Sequence, residues 1–201
     1  MLDGTPVFAL ALAEEDGHHR YRVGRIEPRP RAMAGPTLER SAMEDHFRSI
    51  EEYPRRDNAN GIVIRLIDGL GFRFYWATEG LREEDYAYAA CESCQTIGGI
   101  LQHLWGLANW LRLNALGEGL SEAPDAPEDG RRQVLEILAE LRAFVDGLDE
   151  QRLFGLTIKD QPFWHYINGP LADALTHTGQ IAYLRRASGN PAPKHNPFLA
   201  Q

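Results

Sequence analysis

An all-α fold, a four-helix bundle preceded by an N-terminal extension, is what this sequence predicts. Beyond residue 58, apolar residues recur at intervals of three and four along four long segments, and clusters of Gly and Pro separate them. No segment in that region alternates strongly enough to read as a strand. At 201 residues, 43% hydrophobic and 25% charged, the chain has the length and composition of one domain able to bury a core.

Residues 1–57 form the extension. TPVFALALA and RYRVGRI flank Asp16-Gly17, a pair suited to a two-residue turn because Gly tolerates positive φ. That spacing predicts a β-hairpin, although VFALALAEE is equally able to begin a helix. Pro28, Pro30, Gly35 and Pro36 mark a linker. Leu38, Met43, Phe47 and Ile50 then predict a short amphipathic helix ended by Pro54.

Residues 58–201 form the helical body. The first helix is expected over 59–80, where Ile62, Val63, Leu66, Ile67, Leu70 and Phe74 surround much of its circumference. The second is expected over 96–113, with Ile97, Ile100, Leu101, Leu104, Leu107, Ala108 and Leu111 on one side. The third carries a stripe of Val134, Ile137, Leu138, Leu141, Phe144, Val145 and Leu148 with charges opposite. SEAPDAPEDG bounds it on one side and Gly155 on the other. The fourth is expected from Pro162, with Asp160 as N-cap, to a stop at Gly189 and Pro191. Pro170 lies inside that span and must kink or restart it.

A net charge of −8 and a pI near 5.4 argue against a general phosphate-backbone binder. The pairs Arg55-Arg56, Arg131-Arg132 and Arg185-Arg186 are too short to reverse that. No apolar run approaches the roughly 18 residues of a membrane span. The Met1-Leu2-Asp3 start lacks a basic region, and Glu14, Glu15 and Asp16 follow VFALALA directly, so a signal peptide is not expected and a cytoplasmic protein is. Cys91 and Cys94 form a lone C-x-x-C, too few soft ligands for a structural zinc site. The residues before them do not read as the buried strand of a redox motif, which leaves an incidental loop pair beside the redox alternative.

Asp173 and His177 carry the strongest functional signal. Four residues apart on one helix, they share a face. Ala174, His177, Ile181 and Leu184 form one line, which places His177 in the apolar stripe and Asp173 on its edge. On the second helix His103, flanked by Ile100, Leu107 and Trp110, is expected at the edge of the buried face. Together they would make a two-histidine, one-carboxylate metal site; the plain alternative is a core histidine and a hydrogen-bonded Asp-His couple.

ILQHLWGLANWL and DALTHTGQIAYLRRASGNP resemble the DinB-like, or YfiT-like, metal-binding four-helix bundles. In that family a histidine of the second helix and an H-x-x-x-H pair of the fourth bind a divalent metal, and the last motif runs into Gly-Gln-Ile and a Gly-x-Pro ending. The resemblance spans roughly residues 58–198 and matches His103 and His177 to ligands. Asp173 stands where the first fourth-helix histidine would be, a departure that makes the ligand set harder. The implied cofactors are a divalent metal (zinc, nickel, iron or manganese) and a low-molecular-weight thiol. The implied activity is thiol-dependent transfer, isomerisation or hydrolysis of a small molecule by a homodimer. A non-catalytic bundle that has lost its chemistry is the alternative, and Asp173 is its best support.

Two further residues are candidates for the chemistry. His165, in Trp164-His165-Tyr166, is a candidate acid or base at a pocket mouth, against a reading of aromatic packing. Arg186, with Arg185, is a candidate for an anionic substrate group, against a reading as cations favoured in a last helical turn. His18, His19, His46 and His195 receive no role.

Overall fold

The computed structural model describes residues 7–15, 18–26, 46–50 and 56–195, which are mostly helical. In the extension, β1 (Val7–Glu15) and β2 (His18–Ile26) pair antiparallel, in register from Val7 opposite Ile26 to Glu15 opposite His18. The hairpin reading therefore holds over the helical one. Its turn at Asp16-Gly17, the linker, and Leu38, Met43 and Pro54 of the expected short helix lie outside the described residues.

Of the expected short helix only residues 46–50 are described, and they form a turn and bend rather than helix. Phe47 is 1% exposed and lies over Gly71 of α1 (Ala59–Thr78). A Cβ at Gly71 would come within 2.3 Å of the Phe47 ring, so the close approach requires glycine there. Trp76 Nε1 donates to the Arg48 carbonyl at 3.1 Å and holds the same segment along the helix.

Asn58 caps α1, its side chain accepting from Gly61 N at 3.1 Å. Next come α2 (Glu83–Tyr86), α3 (Ile97–Leu116) and α4 (Pro127–Asp146). Thr96 accepts from Gly99 N at 3.0 Å to start α3, and Gly117 at φ 83° ends it. The fourth of these helices starts earlier than its apolar stripe. Pro127 occupies the first turn, where its missing N–H costs nothing, and Glu128 and Asp129 face the positive end of the helix.

The fourth long segment departs most from expectation. Asp160 is not an N-cap and Pro162 does not start a helix. Strands β3 (Thr157–Ile158) and β4 (Gln161–Pro162) follow the short α5 (Glu150–Phe154) and close around Lys159 and Asp160, at φ 48° and 61°. Two successive positive φ values make a tight turn matched to strand twist, and Asp tolerates that region. One turn of helix, α6 (Trp164–Tyr166), leads into a π-helical turn over Ile167–Leu171. Gly169, at φ −95° and ψ −108°, breaks the helix just before Pro170, as the buried proline demanded. Only then does α7 (Ala172–Ala187) run straight.

Helix α1 packs on α4 and α7, and α3 packs on the same two. Between them lie Ile64, Leu70 and Phe74 of α1, Ile97 and Leu101 of α3, Leu135 and Leu138 of α4, and Ile181 of α7, none more than 2% exposed. Among the described residues no helix is long and apolar enough to cross a membrane.

A buried polar cluster ties the ends together. Arg185, 1% exposed, donates to the carbonyls of Trp76 (3.2 Å), Ala77 (3.0 Å) and Glu79 (2.9 Å) at the end of α1 and to Asn190 O (2.7 Å). It satisfies orphan carbonyls that α1 leaves at its C-terminus. Asp85, fully buried, accepts from Arg82 Nη2 (2.9 Å), Ser188 Oγ (2.8 Å) and Asn190 Nδ2 (2.7 Å). The Arg82 side chain, then its backbone N–H, Asn190 and Ser188, hold the Asp85 carboxyl well below the usual carboxylate range. Arg185 is thus a structural cation, its pKa pulled down by burial, rather than a substrate clamp.

Candidate metal centre

His103, Asp173 and His177 converge, each offering one ligand atom, with those atoms all within 4.8 Å of one another. His103 sits two turns into α3. Asp173 and His177 occupy the first and second turns of α7, directly after the Gly169–Pro170 break. The break lets α7 begin at a new angle on α3, with both side chains on the facing surface.

Asp173 stands between the imidazoles. Its Oδ2 lies 3.1 Å from His103 Nε2 and its Oδ1 lies 3.4 Å from His177 Nε2. The two rings meet edge to face at 4.5 Å. Ligands about 2.1 Å from a transition metal stand about 3.0 Å apart at right angles and about 3.4 Å apart at a tetrahedral angle. The two separations from the Asp173 carboxylate, one from each oxygen, fall in that range, and one atom from each of the three residues lies within 4.8 Å of the others.

A fourth residue sets the chemistry of one ligand. His177 Nδ1 is 2.8 Å from Gln180 Oε1, and because that oxygen only accepts, Nδ1 must carry the proton. In the neutral ring the Nε2 lone pair is then directed at the cluster. Such an outer partner fixes tautomer and ring orientation. Sequence reasoning gave Gln180 no role; its position three residues after His177 was the signal available.

His103 is at the rim of the buried face, as expected, with 23% of its side chain exposed. His177 is not inside the apolar stripe. Thr178, 2% exposed and bonded to Ala174 O at 2.7 Å, takes the buried position, and His177 stands beside it with 19% exposure. Asp173, at 45%, is half-exposed, so its carboxylate avoids the cost of full burial.

His165 and Arg186 do not join the cluster. Both are exposed, and Arg186 lies nine residues, about 13 Å of helix, beyond His177. Around His165 the aromatic packing reading holds for its neighbours: Tyr166 is buried and donates to Thr157 O at 3.0 Å, and Trp164 joins Phe154 and Phe163. Cys91 and Cys94 occupy a loop, as one reading expected, but are joined in a disulfide.

Comparison of the chain with protein-family models, with curated proteins and with solved structures found no match. The geometry of the three candidate ligands and Gln180 therefore carries the functional reading.

Proposed function

We propose that the helical body is a DinB-like four-helix bundle whose His103, Asp173 and His177 hold a divalent metal ion for chemistry on a small molecule. The single observation supporting this is the convergence of three potential ligand atoms from two helices, all within 4.8 Å of one another. Two imidazoles and a carboxylate suit zinc, nickel, iron or manganese, and three protein ligands leave positions open. Bound there, such an ion would supply Lewis acidity towards a substrate group. Thiol-dependent transfer, isomerisation or hydrolysis is the class of reaction proposed, with a low-molecular-weight thiol as co-substrate.

The chain's own part is to orient and to admit. Gln180 holds the Nδ1 proton of His177, Asp173 brings one negative charge to the ligand set, and the partial exposure of all three ligands leaves the substrate a route from solvent. His165 and Arg186 take no step in this reading. The test is elemental mass spectrometry on protein purified without an affinity tag. About one divalent ion per chain in the wild type, lost in His103→Ala, Asp173→Ala and His177→Ala with helical circular dichroism intact, is the expected result. No ion in the wild type, even after incubation with zinc, nickel, iron and manganese, would overturn it.

One observation favours a second reading, a non-catalytic bundle. Asp173 Oδ2 already lies at hydrogen-bond distance from His103 Nε2, so that pair has a partner without an ion. The same measurement separates the two. A homodimer is also proposed, from the resemblance; a monomeric mass by light scattering across concentrations rejects it.

A further inference from the structure

The loop between α2 and α3 carries the second reactive group of the molecule. Cys91, Glu92, Ser93 and Cys94 form a tight turn in which Cys94 N donates to Cys91 O at 3.0 Å, and the two sulfurs are bonded across it. All four residues are exposed. We propose that this disulfide is a thiol-exchange site, whose substrate is an external thiol of a small molecule or of a protein.

Position argues against a structural staple. The stabilisation a disulfide gives grows with the loop it closes, and this one joins residues only three apart. Its turn is already closed by the backbone bond, and the loop's ends are fastened independently. Ile97 N donates to Tyr88 O at 3.1 Å, Thr96 caps α3, and Asp85 anchors α2. Opening the disulfide therefore releases nothing else.

The neighbouring hydroxyl gives the exchange a direction. Cys91 Sγ lies 3.5 Å from Ser93 Oγ. A disulfide sulfur carries no proton, so the hydroxyl is the donor, and it is placed to stabilise negative charge developing on Cys91. An external thiolate attacks Cys94 Sγ and forms a mixed disulfide. The Cys91–Cys94 bond breaks, and its electron pair leaves on Cys91. A second external thiolate attacks the outer sulfur of the mixed disulfide, releasing an external disulfide and the Cys94 thiolate. Two thiols lose two electrons to the protein disulfide, and their two protons end on Cys91 and Cys94. His103 lies seven residues past Thr96, about 10 Å of helix, so this exchange is separate from the metal cluster.

The test uses the full chain in glutathione buffers of stepped reduced-to-oxidised ratio, and in parallel with a stoichiometric reduced thioredoxin. Free thiols are trapped with maleimide and counted by intact mass. Half-reduction within the glutathione series supports the proposal with a small thiol as substrate. Reduction by thioredoxin alone supports it with a protein dithiol. A disulfide inert to both in the folded protein, opening only after denaturation, overturns it. The direction has its own check: Cys91→Ser exposed to oxidised glutathione should accumulate a stable adduct on Cys94. Ser93→Ala should slow wild-type reduction several-fold, and an unchanged rate refutes the assigned leaving group.

Discussion

Helix α7 carries two polar clusters, and they are opposites. Near its C-terminus, Arg185 and the neighbouring Asp85 are no more than 1% exposed, and each meets several partners at hydrogen-bond distance. Near its N-terminus, His103, Asp173 and His177 are partly exposed, and their potential ligand atoms lie within 4.8 Å of one another. Burial with saturation makes a fastening, since a buried charge persists only when its partners repay desolvation. Exposure with convergence leaves capacity for a ligand. The first cluster should therefore govern stability and the second ion binding, with little exchange between them.

The largest effect expected is from Arg185→Ala. It strands carbonyls of Trp76, Ala77 and Glu79 and removes a cation from beside the buried Asp85–Arg82 pair, for a loss of about 3–5 kcal/mol in urea unfolding. A loss below about 1 kcal/mol would show that the fastening is ornamental. Asp85 adds a pH dependence. Its folded pKa is depressed, so its contribution is complete above the unfolded carboxylate value of about 4 and is lost as pH falls below that. The urea midpoint should begin to drop as pH falls through about 4 and keep dropping below about pH 3, and drop less in Asp85→Asn. Equal slopes in the two proteins would assign the acid sensitivity elsewhere.

At the other cluster, Gln180→Leu should weaken metal affinity about 10–100-fold by freeing the His177 tautomer, while thermal unfolding stays within about 2 °C. Isothermal titration with zinc is the measurement; unchanged affinity removes Gln180 from the site. The smallest effect sharpens the contrast most. Ser188→Ala removes one donor to Asp85 and should cost about 1 kcal/mol of stability without changing zinc affinity by more than about twofold. A parallel fall in both would mean the clusters communicate along α7.

Much of the fastening was hidden from the sequence for a physical reason. Arg185 in a last helical turn is indistinguishable from a cation placed there by the macrodipole, because its acceptors are carbonyls over a hundred residues away. Asp160-Gln161-Pro162 reads as a helix start, since Asp caps helices and Pro opens them, yet the same Asp tolerates the positive φ of a tight turn. Local chemistry permits both, and tertiary packing chose. By contrast, the apolar stripes of α1, α3 and α4 were legible because burial itself imposes the spacing, except at Ile62, expected in the apolar surface of α1 but 73% exposed. So was the gathering of His103, Asp173 and His177, since helical repeat places two of them together and leaves one partner helix to supply the third. Phe47 was legible as apolar but not as a turn, because Gly71, the residue that receives it, belongs to another element.

His103 and Asp173 are separated by 70 residues, and only the folded chain brings them within reach. An ion held by both would be invisible to the unfolded ensemble, so its occupancy would be linked to folding. At a free concentration a hundredfold above its dissociation constant it would add about 2.7 kcal/mol to the unfolding free energy. Cellular metal supply would then set how long the protein resists proteolysis, and starvation for the ion would be felt as turnover of the chain before it was felt as lost chemistry.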